Sequence, residues 1–199
     1  MADKVLDKHV RKSLHEYLRK ASGEASKPDA VLIDELVVQR KNGRVDVAVV
    51  NAHLHCYEIK SDADTLTRLQ RQVRVYGKVF DYLNVVVTDK HLALARAAVP
   101  SFWGIHVWFP KSVLFNRPDE VLLVQNPELN PEVDAASLTQ LLWKPTALEL
   151  LRTQNAEKGW LTKPKWAVWR RVQDVCTVQQ IHDAVCVQYK THRRLERAS

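Results

Sequence analysis

Apolar residues recur along the chain in two rhythms, and the switches between them mark out the elements. Leu6, Val10, Leu14, Tyr17 and Leu18 step by three and four, the spacing of a helix that buries one face. Asp3 stands where its N-cap belongs, and Ser22-Gly23 where it should end. After a polar link containing Pro28, three strand-like runs follow: Val31–Val38, residues 45–50 and Leu54–Lys60. Lys41-Asn42-Gly43 and Asn51-Ala52-His53 supply the turns between them. Helical spacing returns with Leu66, Leu69, Val73, Tyr76, Phe80 and Leu83, which predicts one long helix over residues 64–83. Asn84-Val-Val-Val-Thr88 then reads as a short buried strand, and Asp89 as the cap of a helix running to Ala98. Gly104–Phe109 and residues 121–125 are further strand candidates.

Helix, three strands, helix, strand is the order of an α/β sandwich with a mixed sheet. Pro118, Pro127 and Pro131 crowd the next stretch and set a boundary near residues 117–133. Beyond it the pattern is helical, first with Leu138, Leu141, Leu142, Leu148 and Leu151, later with Val178, Ile181, Val185 and Tyr189. The expected organisation is an α/β unit over residues 1–125 and a small helical C-terminal region over residues 133–199. There is no internal repeat and no low-complexity segment.

With 46% hydrophobic and 27% charged residues, the 199-residue chain can bury a core. The charged N-terminus lacks the apolar stretch of a signal peptide, and no uncharged run is long enough for a membrane helix. Cys56, Cys176 and Cys186 form no disulfide framework and suggest a reducing, cytoplasmic setting. The net charge of +7 is unevenly placed, because residues 150–199 hold ten Lys/Arg against four Asp/Glu. A basic tail on a nearly neutral body points to a polyanion partner, most simply nucleic acid, although a solvated helix face would look the same.

The chemistry converges on the second and third strand runs. A hairpin centred on Ala52 sets Asp46 opposite Glu58, with their Cβ atoms about 5 Å apart on one face. Two carboxylates so placed repel unless a cation lies between them, and a hard oxygen-seeking ion such as Mg²⁺, or Mn²⁺, suits the gap. Lys60, two residues beyond Glu58, projects from the same face and can orient a metal-bound water or stabilise phosphate charge. The carbonyl of Ile59 can add a ligand. A register slip of one residue would break the set.

Gly43-Arg-Val-Asp46-Val followed by Tyr57-Glu58-Ile-Lys60-Ser resembles the PD-(D/E)XK nuclease superfamily, with Val45 where the family has proline. Gln72-Val-Arg-Val-Tyr76, on the helix after the Glu-x-Lys strand, is similar to the RecB-like branch. Bacterial and phage-associated members of unassigned function share a Glu-Leu before the aspartate strand, matched here by Glu35-Leu36. The resemblance covers about residues 31–110 and implies a restriction-endonuclease-like αβββαβ core. In it Asp46, Glu58 and Ile59 would bind metal with Glu35 as a third carboxylate, Lys60 would tune the water, and Gln72 would position Lys60 or phosphate. Gln72 falls at the edge of the apolar stripe and can reach the carboxylates, while Tyr76 falls within it as an anchor.

Other signals are weaker. Arg68 and Ser61 can touch a phosphate, but a solvent charge and a helix cap explain them as well or better. Lys158-Gly-Trp-Leu-Thr-Lys-Pro-Lys-Trp-Ala-Val-Trp-Arg-Arg interleaves Trp160, Trp166 and Trp169 with Lys163, Lys165, Arg170 and Arg171. Such a pattern fits nucleic-acid stacking, with at least two of the tryptophans expected in a core. His53, His55 and Cys56, and likewise Cys176, His182 and Cys186, lack metal-site spacing and read as packing residues. The expected function is a Mg²⁺- or Mn²⁺-dependent phosphodiesterase acting on DNA through metal-activated water. The alternatives are an inactive nuclease fold used to bind DNA or protein, and a purely structural protein.

Overall fold

A computed structural model describes residues 7–20, 24–39, 43–112 and 117–198. The expected cap at Asp3, the apolar position Leu6, the stop at Ser22-Gly23 and the turn residues Lys41-Asn42 lie outside this set. Helix α1 (Asp7–Arg19) precedes strands β1 (Val31–Val38), β2 (Gly43–Val50) and β3 (Leu54–Lys60), then helix α2 (Leu69–Tyr76) and strand β4 (Tyr82–Thr88). Helix α3 (Leu92–Ala98), strands β5 (Gly104–Phe109) and β6 (Glu120–Gln125), and helices α4 (Ala135–Thr139), α5 (Lys144–Thr153), α6 (Lys165–Val175) and α7 (Val178–Ala198) complete it. The fold is thus mixed α/β with helices at the C-terminal end. No helix among the described residues is long and apolar enough to cross a membrane.

The six strands lie in sequence order in one sheet. β1, β2 and β3 pair antiparallel, β3, β4 and β5 parallel, and β5 and β6 antiparallel. Parallel neighbours need crossovers, which α2 and α3 supply. The central strands are covered on both sides, so β3 is buried along its whole length. On one side Val10, Leu14 and Leu18 of α1 pack with Val47, Val49, Tyr57, Ile59 and Val86. The larger cluster joins Ala48, Val50, Leu54, Cys56, Val85 and Val87 to Leu138, Leu142 and Leu151, and to Val168, Val172, Ile181 and Val185. The C-terminal helices therefore cover the sheet and share its core. All three cysteines are free and buried.

The helix expected over residues 64–83 is much shorter. A 3-10 turn at Leu66–Arg68 leads into α2, which stops at Tyr76. Leu83 belongs to β4, where it is fully buried, and so satisfies the apolar rhythm from a strand. The backbone turns because distant groups hold it. Asp81 and Leu54 exchange N–H···O contacts, one through the Asp81 carboxylate at 2.7 Å and one through the Leu54 carbonyl at 2.9 Å. The Asn130 side-chain amide donates to the carbonyls of Gly77 and Phe80, each at 2.7 Å. Asp89, expected as a cap, instead opens a 3-10 turn, and Thr88 at its N-cap makes no side-chain capping bond.

His182 of α7 closes this turn, its Nε2 lying 2.6 Å from Asp81 Oδ2. The bond to Asp81, with Cys186 close by, raises the imidazole from its ordinary 6.5 to about 10. A raised cationic group gives stability that is complete below pH 6.5 and lost as pH climbs through about 10. His182→Ala should therefore cost about 3 kcal/mol near neutrality, because it strands Asp81 in the interior. Melting curves from pH 6 to 10.5 check this: the wild type should lose its advantage over the variant at the alkaline end. A constant offset across that range would exclude an ionic role for His182.

Candidate active site

At one end of the sheet, a cavity of about 670 Å³ is lined by residues from α1, β1, β2, β3 and α2. The β2–β3 ladder pairs Val47 with Tyr57 and Ala48 with Cys56, the register that carries on to Asp46 and Glu58. The ladder stops short of that pair. The Asp46 carboxylate reaches across to β3 instead, and its Oδ2 accepts the Ile59 N–H at 2.7 Å. Glu58 and Lys60 are 2% and 3% exposed, and Lys60 Nζ donates to Glu58 Oε1 at 2.6 Å. Gln72 Nε2 donates to that same oxygen, from α2. Tyr76 anchors the helix, its hydroxyl donating to the Arg44 carbonyl at 2.8 Å. Gly43 makes room for this contact, since a Cβ there would lie 2.7 Å from the Tyr76 ring. The structure thus brings Asp46, Glu58, Ile59, Lys60, Gln72 and Tyr76 to one cavity.

Burial, and then the charge of Glu58, push the Asp46 carboxyl from its ordinary 3.8 up to about 7. Burial raises Glu58 too, against the pull of Lys60 and Gln72. Glu58 Oε2 and Gln72 Oε1 are buried with no hydrogen-bond partner. A carboxylate oxygen left so is costly, and its missing partner is a donor or a cation. Among the described residues no three His, Cys, Asp or Glu side chains converge as a metal site. Asp46 and Glu58 remain a pair, which fits an ion such as Mg²⁺ that binds through one or two carboxylates and keeps water.

Glu35 does not complete a triad of carboxylates. Its oxygens are held by Arg11 at 2.8 Å and Arg44 at 2.6 Å. Glu35 and Asp46 would face each other in the β1–β2 register but are left out of the pairing, and Glu35 sits at φ 58°. Its backbone is left-handed, a strained choice for a glutamate and one that re-aims the side chain. Arg11, on α1, was not singled out by sequence. Its guanidinium reaches Asp7, Asp34 and Glu35, lies 3.5 Å from Asp46 Oδ1, and donates to the Asp46 carbonyl. The available signal was its place beside Val10 on the buried edge of an amphipathic helix.

The expected nucleic-acid contacts are spread out. Arg68 is exposed at the cavity rim, as is Arg71. Ser61 is buried, and both its N–H and its hydroxyl donate to Asp64 Oδ2, so it shapes the turn after β3. Lys163, Lys165, Arg170 and Arg171 lie far along the chain on and before α6, and none of them lines this cavity. His182 is more than a packing residue, as its bond to Asp81 shows.

A family model described as Bacteriophage P4 protein cII matches residues 1–194. The chain belongs to that family. Protein cII of Enterobacteria phage P4 is 34% identical to this family member over 105 residues, 53% of this chain. The matched part is 39% of the phage protein's own length. A protein of unknown function from Silicibacter pomeroyi aligns in structure with a TM-score of 0.41 at 16% identity, over 77% of this chain and 94% of that one.

The raised Asp46 carboxyl has a direct test in metal-free protein. Ionisation of a raised acid costs the folded state, so the contribution of Asp46 to stability is complete below pH 3.8 and is lost as pH rises through about 7. Asparagine keeps an oxygen to accept the Ile59 N–H but carries no charge. Asp46→Asn should gain about 1–3 kcal/mol over wild type at pH 8, and the gain should vanish near pH 4. Urea unfolding in chelator at both pH values measures it; a loss at pH 8 would show an ordinary, stabilising aspartate.

Proposed function

We propose that this chain is a divalent-cation-dependent phosphodiesterase acting on DNA, with the organisation of the PD-(D/E)XK nucleases. The observation that supports it most is Glu58 Oε2, buried without a partner beside a second carboxylate whose ionisation is already opposed. Asp46, Glu58 and the Ile59 carbonyl would hold Mg²⁺ or Mn²⁺, with water filling the remaining positions. When bound, the cation would supply Lewis acidity and a water acidic enough to attack a phosphodiester near neutral pH.

The chain's own residues supply the rest. The Lys60 ammonium, anchored on Glu58, stands ready to donate to a phosphoryl oxygen as charge builds there. Gln72 shares that Glu58 oxygen, so it fixes the carboxylate and the ammonium together. Arg68 and Arg71 at the rim offer positive charge to neighbouring phosphates. In hydrolysis the water oxygen bonds to phosphorus and the water gives up a proton to solvent, while the bond from phosphorus to the bridging oxygen breaks and that oxygen leaves with its electron pair and takes a proton from solvent. A second reading, a module that holds nucleic acid without cutting it, is favoured by Arg11, which already sets a cation against Asp46 and Glu35.

Lys60→Ala should lower cleavage of plasmid DNA about 100-fold or more. Its melting temperature should still rise with Mn²⁺, at least as much as in wild type, because the carboxylates remain and have lost a competing cation. Asp46→Asn and Glu58→Gln should lose both cleavage and the Mn²⁺-dependent rise. Undiminished cleavage in Lys60→Ala, or cleavage in excess chelator, would overturn the catalytic reading. Wild-type protein that neither cuts nor gains stability with millimolar Mn²⁺ would make the binding module the better account.

A further inference from the structure

A second site lies on α6. The three tryptophans of the Lys158-to-Arg171 segment have different surroundings. Trp169 is 8% exposed, and its indole N–H donates to the Leu142 carbonyl at 3.1 Å, so it belongs to the core. Trp160 packs partly against that core, with the Arg171 guanidinium 6.0 Å from its ring. Trp166 is 58% exposed on the first turn of α6. Trp160 and Trp166 both line a groove of about 420 Å³, whose rim carries the exposed cations Lys163 and Arg170. Arg171 also lines it, its Nε buried without a hydrogen-bond partner, and the one acid at the groove is Asp174. Residues 158–171 carry five Lys/Arg and no Asp/Glu.

A large flat ring left in water among cations is not explained by packing, since the core is complete without it. We propose that this groove binds single-stranded nucleic acid, with one unstacked base laid on Trp166 and the flanking phosphates on Lys163 and Arg170. The charge fits a polyanion. The ring adds what a phosphate does not need, an aromatic face on which any base can stack. A duplex keeps its base faces stacked on one another, so only a single strand can use both features. The groove shares no lining residue with the catalytic cavity, and the proposal stands whether or not that cavity cleaves anything.

The test uses the full chain in EDTA, where metal-dependent cleavage cannot run. A short fluorescein-labelled oligothymidylate and a duplex of the same length are titrated by anisotropy at several salt concentrations. Wild type should bind the single strand more tightly than the duplex, with quenching of its tryptophan fluorescence. Trp166→Ala should bind it about tenfold more weakly or worse, with unchanged circular dichroism and melting temperature. Trp166→Phe should keep most of the affinity while losing most of the quenching. Lys163→Ala and Arg170→Ala should each make the slope of log affinity against log salt shallower by about 0.7. Unchanged affinity in Trp166→Ala, equal or better binding of duplex, or no binding of oligonucleotide by wild type would each overturn the proposal; the last would turn attention to an acidic protein as the occupant.

Discussion

Two carboxylates are held close together where little water reaches them. Burial opposes the charge of both, and at Asp46 the charge of Glu58 adds to it, so that the Asp46 carboxyl is pushed up to about 7. The surrounding groups can be understood as answers to that repulsion. Lys60 and Gln72 both donate to one oxygen of Glu58, Ile59 donates to Asp46, and Arg11 approaches from the opposite layer. One oxygen of Glu58 is left over. Apolar residues of the same volume would cost less there than half-satisfied charges.

Holding those groups in place takes much of the molecule. β2 and β3 supply the carboxylates, α2 supplies Gln72, and α2 is fastened at one end by Tyr76 on the Arg44 carbonyl. The tight turn that Asn130 and His182 hold shut follows that same end of the helix. The site thus rests on contacts between parts of the chain far apart in sequence. The C-terminal helices add a second layer over the sheet as well as the groove at Trp166.

Much of this was legible before any coordinates. Strand-like runs bounded by turn residues mark Val31–Val38, Leu54–Lys60 and Gly104–Phe109 as strands with these ends. Register logic brought Asp46 towards Glu58. What failed did so for a physical reason. The stripe through Phe80 and Leu83 looked helical because a core accepts an apolar side chain from a helix or a strand alike. Leu54, Asn130 and His182, which no local pattern connects to residues 77–81, decide between them. Glu35 lines the same cavity as Asp46 and Glu58 but is clasped by two arginines, and neither that clasp nor its φ of 58° leaves a trace in spacing. Arg11 was invisible for a related reason: a cation beside an apolar stripe can as easily lie in solvent.

The bond between His182 and Asp81 spans 101 residues and has a bearing on how the protein comes into being. A chain emerging from the ribosome can pair β1, β2 and β3 early, because those strands are hairpin neighbours with short loops. The turn beyond α2, by contrast, has to wait for residue 130 and then for residue 182. Gln72 sits on the helix that leads into this turn, so its placement is tied to the docking of α7. The hairpin that carries the carboxylate pair is made of neighbours in sequence, whereas one wall of the cavity around it depends on contacts with residues far along the chain.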